Sequence, residues 1–180
     1  MDDIVKAALR KWPHVPHCHG WLALDARGDW YMRDDRIQAA GPFPRVKGSV
    51  IRHDKLRDFI HRNYLRDASG SAYFQNGPQR VYVDLETAPY VWRITRDAEG
   101  QLTLTAHTGE VALGVRGSWL DEHGRLFLLA LLPSVGEAFG MVHSQDMLDA
   151  AEAVEQGLWT PQDMAFADMP SCFGYVLQPR

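Results

Sequence analysis

Three histidines and a cysteine fall within six residues in the segment Pro13-His14-Val15-Pro16-His17-Cys18-His19. These are the side-chain types that bind Zn²⁺ in tetrahedral sites. On an extended chain His17 and His19 share one face while Cys18 points to the other. A closed site would therefore need a further ligand from a distance, and His107, His123 and His143 can supply one only through the fold. His14, His17, Cys18 and His19 are candidate zinc ligands on this pattern. A metal-dependent hydrolase is the chemistry that such a centre would run. The competing reading is the entry of a strand with half-buried imidazoles.

A second constellation lies in Arg80-Val81-Tyr82-Val83-Asp84-Leu85-Glu86, where apolar and polar residues alternate strictly. One strand face then carries a cation, a phenol and two carboxylates. Asp84 and Glu86 stand about 7 Å apart along the strand, a separation that a carboxylate pair can use. A solvated strand face has the same composition. Arg80, Tyr82 and Glu86 are candidate ligand contacts.

A third is basic: Arg45, Lys47, Arg52, His53, Lys55, Arg57, Arg62 and Arg66, with Phe43 and Tyr64 close in sequence. Arginine with loop N–H groups suits carboxylate or phosphate. Asp54 and Asp58 interleave, the sequence pI is about 6.0, and no nucleic-acid-binding motif is present. A small anion therefore fits better than a duplex. Arg45, Lys47, Arg52, His53 and Arg62 are the candidate contacts. There is no Gly-x-Ser-x-Gly, Walker loop, dinucleotide fingerprint or His-Glu-x-x-His, and Cys172 has no identifiable base nearby. No catalytic residue is assigned.

The elements that must hold these residues are announced by a repeated turn. Asp-x-x-Gly occurs at Asp25–Gly28, Asp67–Gly70, Asp97–Gly100 and Asp121–Gly124, each leading into an apolar run. Asp bonds its own backbone at the start of a turn, and Gly accepts a positive φ. The chain therefore reads as a series of β-hairpins. The spacings of 42, 30 and 24 residues are too unequal for a solenoid or propeller.

Helices are expected over 2–11 and 53–64. A third, from Ser144 to Glu155, should be capped by Ser144 and bury Met147, Leu148, Ala151 and Val154. Thr160-Pro161 opens a further short helical turn. Residues 33–49 read as a long irregular loop, and 173–177 as an edge strand. Because strands follow one another rather than alternating with helices, the fold class is α+β with antiparallel sheet. Two similar β modules, about 18–66 and 67–132, would pack with flanking helices and a helical segment over 144–166, all within one domain spanning 1–180.

The composition is that of a globular chain: 46% hydrophobic residues and a net charge of −4. The charge is uneven, with 13 Lys and Arg against 8 Asp and Glu in residues 1–66, and 6 against 15 thereafter. No apolar run approaches the roughly 20 residues needed to span a bilayer, and the N-terminal segment lacks the pattern of a secretory signal. Two cysteines are too few for a disulfide framework. These features point to a reduced, cytoplasmic protein without membrane or nucleic-acid partners.

Several of these segments together resemble a family of proteobacterial proteins known as a domain of unknown function. The resemblance runs from Cys18 to about Leu132. It rests on His19-Gly20 with Leu22 and Leu24, Gly28-Asp29-Trp30, Ile51, Leu56-x-x-Phe59-Ile60 and Asp67-x-x-Gly70. Val81-x-Val83-x-Leu85-Glu86-x-Ala88-Pro89, Leu102-x-Leu104 and Thr108-Gly109 complete it. The chain departs from that pattern in its longer loop around Pro42 to Gly48 and in its C-terminal helices. The resemblance implies a compact fold with repeated β-rich motifs, and ligand binding or signalling as the suggested role. Together, residues and resemblance predict a non-enzymatic binding or regulatory module for a small anionic ligand or a protein partner. The zinc-dependent protein is the alternative.

Overall fold

A computed structural model of the chain describes all of residues 1–180. Its contacts divide the chain into two units. One comprises Met1–Asp25, Asp29–Glu86 and Gly174–Arg180, the other Ala26–Gly28 and Thr87–Phe173.

The first unit runs α1 (Asp3–Lys11), β1 (Cys18–Leu24), β2 (Trp30–Met32), α2 (Asp35–Ala40), β3 (Ser49–Val50), α3 (Asp54–Arg62), β4 (Tyr64–Arg66), β5 (Ala72–Asn76) and β6 (Gln79–Leu85). Its sheet has the order β3-β2-β1-β6-β5-β4, and every pairing is antiparallel except β1 with β6. The second unit runs β7 (Tyr90–Arg96), β8 (Leu102–Ala106), β9 (Gly114–Leu120), β10 (Leu126–Leu132) and β11 (Gly136–Val142). A 3₁₀ turn at Ser144–Asp146 then leads into α4 (Met147–Glu155), followed by β12 (Gln162–Asp163) and α5 (Met169–Phe173). Its sheet has the order β12-β9-β10-β11-β7-β8, with β11–β7 and β12–β9 parallel.

The two units follow one plan. A hairpin (β1–β2, β7–β8) precedes a three-strand meander (β4–β5–β6, β9–β10–β11), and the last meander strand lies parallel beside the first hairpin strand. The fold is α+β with two similar β modules, as the sequence predicts, but the sheets are mixed rather than purely antiparallel. The first and third Asp-x-x-Gly turns join equivalent hairpins, and the second and fourth open equivalent meanders. Their unequal spacing arises because α2, β3 and α3 intervene between hairpin and meander only in the first unit.

All four turns share one hydrogen-bond pattern. The Asp carboxylate accepts from the backbone N–H four residues on: Asp29 at 3.0 Å, Ser71 at 3.0 Å, Gln101 at 2.7 Å and Arg125 at 2.8 Å. The Asp N–H donates back to the carbonyl of that same residue, at 3.1 Å in each copy. The closing glycines have φ of 81°, 83°, 79° and 72°, in the left-handed region that disfavours any side chain with a Cβ.

In the first unit Trp30, Phe43, Ile60, Leu24 and Leu85 are fully buried, and the Phe59 ring meets Phe74 edge-on at 5.4 Å. In the second, Trp92, Phe127, Leu128 and Phe139 form the core, and Phe139 stacks on Phe173 at 3.8 Å. No helix is long and apolar enough to cross a membrane.

Four local expectations are corrected. The 33–49 segment is not wholly irregular, because the Asp34 carboxylate caps α2 by accepting from Ile37 N–H at 2.9 Å. The α4 region is capped by His143 Nδ1, which accepts from Gln145 N–H, not by Ser144. Its inward face is Ala150 and Ala153, while Leu148 is 83% exposed. Asp146 fixes this orientation, since its carboxylate takes both Arg93 Nε at 2.6 Å and Ile94 N–H at 2.9 Å on β7. Finally, Gln162–Asp163 pairs with Trp119 and Leu120 as a strand, so no helix starts at Thr160. The helical turn begins at Phe166, whose N–H donates to Glu122 Oε2 at 2.8 Å.

The final segment is a strap across the first unit rather than a regular edge strand. Val176 bridges Ser71, Leu177 accepts from Leu85 N–H at 2.7 Å, and Gln178 Nε2 donates to the Phe43 carbonyl at 2.9 Å.

Candidate functional site

The polar row of β6 does not face solvent. Tyr82 and Asp84 are buried, and Arg80 and Glu86 are half-buried. β1 and β5 flank β6, and their side chains cover the row. Tyr82 stacks on the His19 ring at 4.4 Å, meets His17 edge-on at 5.8 Å, and lies 5.9 Å from the Tyr73 ring. Its hydroxyl donates to Asp67 Oδ2 at 3.0 Å. The Arg80 guanidinium lies 4.7 Å from the Tyr73 ring centroid, in cation–π contact.

Further along, Asp84 is held between two guanidinium groups, Arg33 at 3.4 Å and Arg180 at 3.1 Å. Glu86 instead accepts from Lys47 Nζ at 3.1 Å, and the same ammonium lies 2.8 Å from buried Asp25 Oδ2. Burial alone would push Lys47 down, but its hydrogen bonds to Asp25 and Glu86 hold it above the ordinary lysine value. Asp84 and Glu86 are thus taken by different cations and do not form an acid–base pair.

The histidine cluster opens out around β1. His14 is exposed, and His17 and His19 lean on Tyr82. His19 Nδ1 donates to the Pro179 carbonyl at 3.3 Å. Cys18 lines an apolar cavity with Trp21 and Leu22. No group of three or more His, Cys, Asp or Glu side chains is disposed to hold a metal ion.

Of the predicted anion contacts, Lys47, Arg80, Tyr82 and Glu86 belong to this buried network. Arg45, Arg52 and His53 are exposed and have no hydrogen bond or ion pair to it. Arg62 is exposed and pairs with Asp2 at 3.3 Å. The basic helix therefore presents separate charges rather than one site.

What the sequence does not reveal is a cavity of about 410 Å³ lined by His19, Gly20, Arg33, Gln38, Gly41, Pro42 and Arg180. Arg33 is 2% exposed and fixed by the carbonyls of Gly41 at 2.7 Å and Val46 at 3.2 Å. Gln38 is held by its Nε2 bond to the Arg33 carbonyl at 2.9 Å. Arg180 reaches in from the strap with 58% of its side chain exposed. Two guanidinium groups thus face one carboxylate, Asp84, at one end of the β6 row. Gly20 makes room for this arrangement. It has a φ of 75°, and a Cβ there would lie 2.5 Å from Gln38 Oε1. No periodicity marks Arg33 or Arg180, because the cavity joins a strand end, a short helix and the strap.

Comparison with known proteins places the chain. No curated protein matches it. It resembles the crystal structure of a DUF1285 family protein from Silicibacter pomeroyi DSS-3, with 14% identity and a TM-score of 0.51 over 77% of this chain and 72% of that one. A DUF1285 family protein from Shewanella baltica OS155 aligns with 14% identity and a TM-score of 0.47, over 73% of this chain and 91% of that one. At this identity the Silicibacter likeness is one of fold alone. The family model DUF2944, described as "Protein of unknown function (DUF2946)", matches residues 1–180, and the chain belongs to that family.

Proposed function

We propose that this protein is a non-enzymatic binding module whose ligand is a small anion, held in the cavity between His19, Arg33, Gln38 and Arg180. One observation carries the reading: two arginines, Arg33 and Arg180, and no acidic side chain line the cavity, while the carboxylate they share, Asp84, lies outside that lining. A carboxylate or phosphate would take a charge-assisted bond from the solvent-facing edge of Arg180. Arg33 is already saturated by protein acceptors, so its role is to set the local potential and the position of Asp84. Gln38 and the backbone of Gly41 and Pro42 shape the cavity wall. The network contains no activated nucleophile and no free carboxylate pair, and binding rather than turnover is the chemistry these groups serve.

Thermal unfolding in the presence of acetate, succinate, citrate, phosphate and mononucleotides tests this. One or more should raise the melting temperature, and a concentration of 100 times Kd corresponds to about 2.7 kcal/mol of added stability. The shift should vanish in Arg180→Ala and persist in Arg45→Ala and Arg62→Ala. No shift with any anion, or a shift untouched by Arg180→Ala, overturns the proposal.

A further inference from the structure

The opposite side of β1 carries a cavity of different character. It has a volume of about 300 Å³, lies between α3 and the sheet, and is lined by Cys18, Trp21, Leu22, Phe59, Phe74, Gln79 and neighbouring apolar residues. None of its lining side chains carries a charge; Asn76 and Gln79 are its only carboxamides and Cys18 its only thiol.

Two features mark it as built. First, β1 pairs with β6 through a register shift between Cys18 and Leu22, where Gly20 adopts its positive φ. Such a bulge re-aims the side chains beyond it. Regular alternation would send Trp21 and Leu22 to opposite faces, yet both line this cavity. Second, Trp21 and Met32 also line it while remaining 38% and 48% exposed. They form an apolar rim in which Met32 is the adaptable member.

We infer that this cavity is a second binding site, for a neutral and mainly apolar small molecule: a short aliphatic chain or a one- to two-ring compound ending in a hydroxyl or amide. Its volume lies at the lower end of the range for small-molecule sites. The uncharged lining offers an anion no partner, so desolvation would exclude carboxylates of the same length. Gln79 Nε2 is engaged by the Pro16 carbonyl at 3.0 Å, which leaves its carbonyl oxygen to accept from a ligand hydroxyl or amide. This site stands apart from the anion reading, and either can fail without the other.

The probe is 1-naphthol, a two-ring fluorophore that carries a hydroxyl and is neutral at pH 7.5, with 1-octanol and octanoate as competitors. Its fluorescence should rise on binding, octanol should displace it, and octanoate should compete at least about tenfold less well. In a Cys172→Ser background, alkylation of Cys18 should slow about tenfold at probe concentrations ten times Kd. Leu56→Trp, which fills the cavity from α3, should weaken the probe about tenfold. If that variant fails to fold, protection of Cys18 in the Cys172→Ser protein still decides. Absence of binding, binding that leaves the Cys18 rate unchanged, or octanoate competing as well as octanol overturns the inference.

Discussion

Tyr82 donates its hydroxyl to Asp67 Oδ2 at 3.0 Å while Oδ1 of the same carboxylate closes the turn on Ser69 and Ser71. One side chain thereby shapes the β4–β5 hairpin and ties it to β6, the next strand of the sheet. Burial disfavours the Asp67 anion, but the bonds from Ser69, Tyr82 and the backbone outweigh it and hold its pKa below the ordinary value. Its stability contribution is therefore full above the unfolded pKa of 3.8 and lost as pH falls through the folded value. Tyr82→Phe should cost about 1 kcal/mol at pH 7, and the cost should shrink as pH falls below 3.8 through the folded pKa of Asp67. Urea titrations from pH 7 down to the acid limit of folding check this, and a loss that stays constant contradicts it.

The four turns allow an internal comparison. At Gly100 an added Cβ meets nothing within 4 Å, so Gly100→Ala should cost only the left-handed backbone penalty of about 1–2 kcal/mol. At Gly70 the same atom would lie 2.0 Å from the Gly174 carbonyl oxygen. Gly70→Ala should therefore cost more and should loosen the strap. Chemical denaturation gives the ranking, and hydrogen exchange at Leu85 N–H, which the strap accepts, gives the location.

His61 is a pH-sensitive element of the first unit. Its Nε2 accepts from Trp30 Nε1 at 2.9 Å, so the folded state favours the neutral ring. Burial is the main cause that lowers its pKa below 6.5, with Arg57 adding to it and Asp58 opposing. The unfolded chain binds the proton more tightly, so stability is full above pH 6.5 and declines as pH falls below it toward the folded pKa. His61→Gln should flatten the melting temperature between pH 7 and pH 5. An unchanged slope counts against His61 as its source.

Lys47 links two carboxylates, and its removal takes an ammonium away from the more buried one. Asp25 is 2% exposed, and its remaining donors include the Tyr31 hydroxyl at 3.1 Å and the turn N–H of Asp29. Lys47→Met should cost about 1–2 kcal/mol, less than for a fully buried pair because a third of the lysine side chain is exposed. Lys47→Met with Asp25→Asn should cost less than the two single losses added together, which a double-mutant cycle measures.

Much of the fold is legible locally. The strand at 80–86, the helix from 54 and all four turns announce themselves through alternation, amphipathic spacing and Asp-x-x-Gly. What is not legible depends on distant pairing. β11 follows no turn of that type, and its Gly-Glu start hides an apolar strand that needs β10 and β7 on either side. The inward face of α4 is two alanines, which periodicity ranks below Leu148. The histidine segment is conspicuous in sequence, yet its rings serve Tyr82. The cavity depends on Arg33 and Arg180, which meet only because both reach Asp84.

The strap also bears on how the chain is made. Residues 174–180 complete the first unit, although the whole of 87–173 is synthesised before them. Until they emerge from the ribosome, Leu85 N–H lacks its acceptor on Leu177, and Asp84 has only Arg33. The first unit is thus begun early but closed only after the second has been translated, and its cavity acquires its second guanidinium with Arg180.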